Sequence, residues 1–154
     1  MKVAIALGSN LGSRLAHLDH ARTRLQALLT DPRFSNLIDT DPVGVVPQPR
    51  FLNGAAIGST DLSVRALLEA LLAIERERDR ERPHPGAART LDLDLILYGD
   101  TLVDEPGLQV PHPRFRERRF VLAPLAEIAA DWIDPLTGVT ILELLRRLSS
   151  PENT

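Results

Sequence analysis

Residues 89 to 98 read Arg89-Thr90-Leu91-Asp92-Leu93-Asp94-Leu95-Ile96-Leu97-Tyr98, an apolar strand pattern interrupted by two carboxylates. Side chains alternate faces along a strand, so Leu91, Leu93, Leu95 and Leu97 are expected on one face and Asp92 and Asp94 on the other. A rise of ~3.3 Å per residue puts the two aspartate Cα atoms roughly 6.5 Å apart, close enough for both side chains to converge on a cation. Two anions at that spacing repel unless positive charge is brought to them. A polar face turned to solvent explains such an alternation equally well. Against the solvent reading stand the depletion of aspartate from strands and the arginines on both sides in sequence. Arg76, Arg78, Arg80, Arg82 and Arg89 precede the pair, and Arg114, Arg116, Arg118 and Arg119 follow it. Hard oxygen ligands beside guanidinium groups suit Mg2+ and a polyphosphate.

Working outward, Lys2 to Leu7 forms a first strand that runs into Gly8-Ser9-Asn10, read as a tight turn, with Ser13 as the cap of the helix that follows. Leu15, Leu18, Ala21, Leu25, Leu28 and Leu29 recur at helical spacing, and Asp31-Pro32 stops the run. Phe34 to Thr40 reads as a second strand, and Phe51 to Ser59 as a third. Between them lies a proline-rich loop from Asp41 to Arg50, long enough to suggest a binding lid. A long amphipathic helix follows from Leu62 to about Arg82, with its apolar stripe on Val64, Leu67, Leu68, Leu71 and Leu72. Pro83 and Pro85-Gly86 break it before the aspartate strand.

The order strand, helix, strand, strand, helix, strand predicts an α+β fold. Its form is a ferredoxin-like βαββαβ antiparallel sheet with helices on one face, the other face being left to loops and ligands. Segments near Glu117 to Ile128 and Ile141 to Leu148 read as helices of a C-terminal extension.

The chain of 154 residues fits one domain, 1–154, with a sizeable core. It has no cysteine, which excludes disulfides and thiolate metal sites. Its formal charge of −3 supplies no general attraction to nucleic acid, and no apolar run is long enough to span a membrane. The expectation is therefore a cytoplasmic protein, a monomer, acting on small molecules, with no nucleic acid and no membrane as partner. An RNA-binding use of such a sheet calls for exposed aromatics on a basic face, and this chain has 4% aromatics and carboxylates there. A non-catalytic ligand-binding module and a metal-dependent nuclease are the remaining alternatives.

Several side chains carry further chemistry. His112, in Val110-Pro111-His112-Pro113, stands between prolines ahead of a basic cluster and suits a donor to a phosphate oxygen. Phe51 and Asn53, two apart, face one side of their strand and offer an aromatic plane and an amide to a flat heterocycle. The alternating Arg and Glu residues from Glu75 to Arg82 read as a solvated helix end laced with ion pairs.

These motifs together resemble the 6-hydroxymethyl-7,8-dihydropterin pyrophosphokinase family. The resemblance runs from Gly8-Ser9-Asn10 through Phe51-Leu52-Asn53 and Arg89-Thr90-Leu91-Asp92-Leu93-Asp94 to Val110-Pro111-His112 and Arg118 to Phe120. It implies transfer of pyrophosphate from ATP, the co-substrate, to the pterin hydroxymethyl group in folate biosynthesis. It also implies that Asp92 and Asp94 hold two Mg2+ ions. By the same resemblance Arg80, Arg82, Arg89, Leu95, His112 and Arg118 contact ATP, with Arg80, Arg89 and Arg118 joining the aspartates in catalysis. Thr40, Asp41, Val43, Phe51, Asn53, Asp92 and Phe120 would form the pterin pocket, with Phe51 and Phe120 stacking on the ring. The chain departs from the family pattern at Pro85-Gly86-Ala87-Ala88, where the Trp-Gly-Pro common in relatives is shortened, at Pro113 and at Phe51.

Overall fold

The computed structural model describes residues 1–10, 12–40, 50–78 and 90–149. Strand β1 (Lys2–Ser9) is followed by helix α1 (Arg14–Leu28), β2 (Thr30–Phe34), β3 (Ile38–Thr40), β4 (Phe51–Ser59), α2 (Val64–Arg78) and β5 (Asp92–Tyr98). A hairpin of β6 (Val103–Glu105) and β7 (Leu108–Val110) comes next, then a 3-10 turn (Phe115–Glu117), α3 (Arg119–Ala129) and α4 (Ile141–Ser149). The main sheet has the order β2-β4-β1-β5, with β3 also on β4, and its pairings are antiparallel. No helix among the described residues is long and apolar enough to cross a membrane.

The apolar periodicity of the two long helices puts Leu18, Ala21 and Leu25 of α1 and Leu67, Leu71 and Ile74 of α2 into one core. They pack against Val3, Ile5 and Leu7 of β1 and against Leu91, Leu93 and Leu95. Leu15, expected in this stripe, is 56% exposed, because it lies in the first turn of α1, beyond the reach of the sheet.

The aspartate strand departs from simple alternation. Its pairing with β1 runs Gly8↔Asp92, Ala6↔Asp94 and Ile5↔Leu95, then shifts so that Ala4 pairs with Leu97. Ile96 is the extra residue of a β-bulge, and a bulge moves every side chain beyond it to the opposite face. Leu97 therefore does not share the face of Leu91, Leu93 and Leu95. It joins a second core, with Ile96, Ala4, Ala6, Ala55 and Ile57, beneath α3 and α4. That second core also corrects the expectation of an open sheet face. Val121, Leu122 and Leu125 of α3 and Ile141 and Leu144 of α4 cover one end of it, over small alanines that let a helix lie close.

Local signals were shifted rather than lost. Gly8 and Ser9 lie inside β1 and not in a turn, and Ser13 stands at the N-cap of α1 without a side-chain hydrogen bond. Helix α1 ends where Leu29 turns extended, and Asp31-Pro32 falls within β2, with Asp31 at φ 49° beside a register shift. A proline is tolerated there because β2 is an outer strand and the shift removes the need for its N–H. The expected strand from Phe34 to Thr40 is two short strands, both on β4.

Leu97, 2% exposed, tests the bulge. Leu97→Ala should lower unfolding stability by about 2–5 kcal/mol, the range for emptying a packed leucine site. A denaturation midpoint within about 0.5 kcal/mol of the parent, as for an exposed residue, would contradict the second core.

Candidate active site

The register of three strands sets one end of the sheet as a grid. Asn53 of β4, Gly8 of β1 and Asp92 of β5 lie in one row, and Ala55, Ala6 and Asp94 in the next. Directly paired residues point to the same face, so Asn53, Asp92 and Asp94 project on the side of α3. Gly8 leaves the middle of the first row without a side chain. A Cβ there would stand 2.9 Å from Asn53 Oδ1 and 3.7 Å from the Phe51 ring. Thr40, paired with Phe51, accepts a hydrogen bond of 2.6 Å from Asn53 Nδ2, which leaves the amide oxygen facing the Gly8 gap. Beneath, buried Ser9 donates to the carbonyl of Thr90 and ties β1 to the segment entering β5.

β5 is the outer strand, and its free edge is satisfied by side chain and loop instead of another strand. Glu75 Oε2, from α2, accepts the Leu93 N–H at 2.7 Å, and the Ile96 carbonyl at the bulge accepts the His112 N–H at 3.1 Å. Along this edge opens a cavity of about 440 Å³. Asp92 to Leu95 form its floor, Leu68, Leu72 and Glu75 of α2 one wall, and Gly107 to Val110 of the hairpin another. His112, Pro113 and Arg118 complete it. Among the described residues no group of three or more acidic, histidine or cysteine side chains is gathered for a metal. Asp92 and Asp94, two residues apart on the floor, could hold Mg2+, a hard ion that commonly takes one or two carboxylates and completes its octahedron with waters and substrate phosphates.

Burial pushes the His112 imidazole below its ordinary value, the cations Arg118 and Arg114 push it further, and Asp92 opposes them. The neutral form of the ring is therefore favoured. Its Nδ1 accepts the Arg114 N–H at 3.3 Å, which assigns the proton of the neutral ring to Nε2. The Arg118 guanidinium lies 5.7 Å from the centre of the Phe120 ring, in the first turn of α3.

The structure thus brings Asp92, Asp94, Leu95, His112 and Arg118 together on one cavity, and Thr40, Phe51 and Asn53 around Gly8 at the end of the same sheet. Asp41, Val43, Arg80, Arg82 and Arg89, and the loops containing them, lie outside the described residues. Glu75 was missed, because within an alternating charged run it resembles any solvated helix residue. Glu77, its neighbour, does match that surface reading, but its partners His20 (2.7 Å) and Arg24 (3.0 Å) are on α1 instead of on its own helix. Gly8 was missed as a site residue because only the register shows what its lack of a side chain leaves open.

The site is an acidic floor faced by an imidazole and a guanidinium, groups that could take an anion together with a cation. The chain belongs to the 7,8-dihydro-6-hydroxymethylpterin-pyrophosphokinase family, whose model matches residues 4–130. It is 41% identical over 146 residues to the 2-amino-4-hydroxy-6-hydroxymethyldihydropteridine pyrophosphokinase of Synechocystis sp., covering 94% of this chain and 74% of that relative. To the protein of the same name from Pseudomonas aeruginosa it is 44% identical over 138 residues, covering 84% of this chain and 82% of that one. In fold it is similar to the solved Plasmodium falciparum HPPK-DHPS triple mutant with SDX-DHP, at a TM-score of 0.79 and 14% identity, over 99% of this chain and 46% of that one. The chain spans less than half of that larger protein.

The electrostatics predict an NMR titration of magnesium-free protein. His112 should titrate below 6.5, and Asp92→Asn should move its midpoint lower still, because the one nearby anion raising it is gone. Because burial holds the folded-state value below the unfolded one, this group favours folding less as pH falls through 6.5. A midpoint above 6.5, or one that rises in the Asp92→Asn variant, would refute the assignment.

Proposed function

We infer that this chain transfers pyrophosphate from ATP to the hydroxymethyl group of 6-hydroxymethyl-7,8-dihydropterin, giving AMP and the pterin diphosphate, the activity for which its relatives are named. The observation that carries this reading is the pair Asp92 and Asp94 on the floor of a cavity faced by His112 and Arg118. We read the strand order, with β2 and β3 as one interrupted strand, as the ferredoxin-like arrangement, and α3 and α4 as its C-terminal extension. We also take the protein as a single domain and a cytoplasmic monomer. Carboxylates lining the cavity and a net charge of −3 favour small substrates over nucleic acid.

In this reading Asp92 and Asp94 hold two Mg2+ ions, which when bound offset the triphosphate charge and lower the pKa of the attacking hydroxyl. His112 donates from Nε2 to a phosphate oxygen, and Arg118 offers its fork of N–H groups to charge that builds as the bond to AMP breaks. Arg80, Arg82 and Arg89 add to the same contacts. Leu68, Leu72 and Leu95 keep water from that side of the cavity. Such a reaction asks for alignment and charge compensation and little covalent chemistry from the protein. The pterin lies flat over Gly8, the Asn53 amide oxygen accepts from its edge, Phe51 and Phe120 stack on the ring, and Thr40, Asp41, Val43 and Asp92 complete the pocket.

AMP release from ATP and Mg2+, measured with and without the pterin, tests the function directly, and AMP formed equally without pterin would overturn it. Asp94→Asn should retain the parent's unfolding midpoint and lose at least ~10²-fold in turnover. Gly8→Ala drives a Cβ against the Asn53 amide oxygen at 2.9 Å. It should therefore raise the KM for pterin by about tenfold, with little change in that for ATP, since each 1.4 kcal/mol of lost binding is tenfold. An unchanged pterin KM would place the ring elsewhere.

A further inference from the structure

Four arginines stand at positions 114, 116, 118 and 119. They are chemically equivalent, yet among the described residues Arg118 is the one of the four that lines the cavity. Arg116 is engaged elsewhere, with Asp134, a carboxylate with 0% exposure in the connection between α3 and α4. Arg116 donates to it through Nε and through Nη2, the second at 2.9 Å, in a two-pronged fork. Asp134 also accepts the Leu136 N–H at 3.1 Å and the Thr137 hydroxyl at 2.7 Å. Its backbone is held as well, its N–H by the Val139 carbonyl at 2.9 Å and its carbonyl by the Gly138 N–H at 2.8 Å. Asp134 is thus a rigid anchor, and Arg116 is the side chain moored to it.

We propose that the partly buried Arg116–Asp134 pair is a positioning device for the reaction: it fixes the 3-10 turn Phe115–Glu117 so that Arg118 faces Asp92 and Asp94. The turn passes its orientation on directly. The Arg118 N–H bonds to the Phe115 carbonyl at 3.2 Å, and the Arg118 carbonyl receives the Val121 and Leu122 N–H groups that open α3. Phe115, fully buried, supports the turn from below, with the Arg116 guanidinium 4.7 Å from its ring centre. A packed apolar pair of similar volume would hold the turn in place as firmly. What the fork adds is angular control, since two parallel bonds fix rotation as well as distance. It also cancels the charge of Arg116, so that Arg118 faces the carboxylates without a competing cation two residues away.

The inference rests on the pyrophosphokinase reading in assigning Arg118 to the reacting phosphates. Steady-state kinetics of Arg116→Lys, of the double variant Arg116→Met/Asp134→Leu, and of each in an Arg118→Ala background test it. In the otherwise native background both should stay folded and lose between about ten- and a hundredfold in kcat, the scale of a displaced catalytic group, with both KM values nearly unchanged. In the Arg118→Ala background the same changes should cost almost nothing further, because the pair acts through Arg118. A folded double variant with native kcat would overturn the proposal, as would losses that simply add to that of Arg118→Ala. Should the double variant fail to fold, Arg116→Lys, which keeps the charge and loses the fork, decides on the same criteria. Failure of the parent protein to release AMP with pterin would instead sink the functional reading. The positioning claim would then stand or fall on whether Arg116→Lys shifts the Arg118 Nε–H resonance in NMR spectra.

Discussion

Two carboxylates two residues apart stand on the outer strand of the sheet, and the way the edge of that strand is closed shapes the site beside them. β5 could have ended the sheet as a plain solvated edge. Instead Glu75 takes the Leu93 N–H and His112 supplies an N–H to the Ile96 carbonyl, so the edge is closed without a further strand. The space a further strand would fill remains as the cavity. Its acidic floor is accessible from the side.

The bulge at Ile96 reconciles two demands on one strand. On its first half, Leu91, Leu93 and Leu95 must face α1 and α2, which turns Asp92 and Asp94 toward the other side. On its second half that other side needs apolar cover for α3 and α4. One extra residue flips the alternation and supplies Leu97 to the second core. The same face is therefore polar where it borders the cavity and apolar where helices pack, with Ala4, Ala6 and Ala55 between. α3 begins at this boundary, which is why Arg118 lines the cavity with the carboxylates and Phe120 stands beside Arg118.

Pairing sorts the many arginines of this chain. Arg116 is bound to a buried aspartate, and Arg24 to Glu77 across the helix pair. Arg14 and Arg50 both reach Asp39 on the outer side of β3. For Asp134, burial alone would raise the carboxyl. The Arg116, Thr137 and Leu136 donors outweigh it and hold the group below its ordinary value. The stabilisation from that pairing is therefore present above the unfolded-state value and is lost as pH falls through the lowered folded-state one. Arg118 is left to the cavity.

Much was legible in the sequence because it depends on short-range geometry. The two-residue period of Asp92 and Asp94, the helical spacing of Leu18, Ala21 and Leu25 and of Leu67 and Leu71, and the shared side of Phe51 and Asn53 all follow from backbone periodicity. The resemblance to the family was legible for another reason, since it resides in contiguous motifs. What the sequence could not specify depends on partners far along the chain. The flip at Ile96 exists because β1 pairs with β5 in a particular register, and Gly8 matters because Asn53 and Asp92 flank it from two other strands. Glu75 and Arg116 read as surface charge until the Leu93 N–H and Asp134 are brought against them. Periodicity tells which way a side chain points along its own element; only tertiary packing decides what it meets, because that is set by residues about 20 to more than 80 positions away.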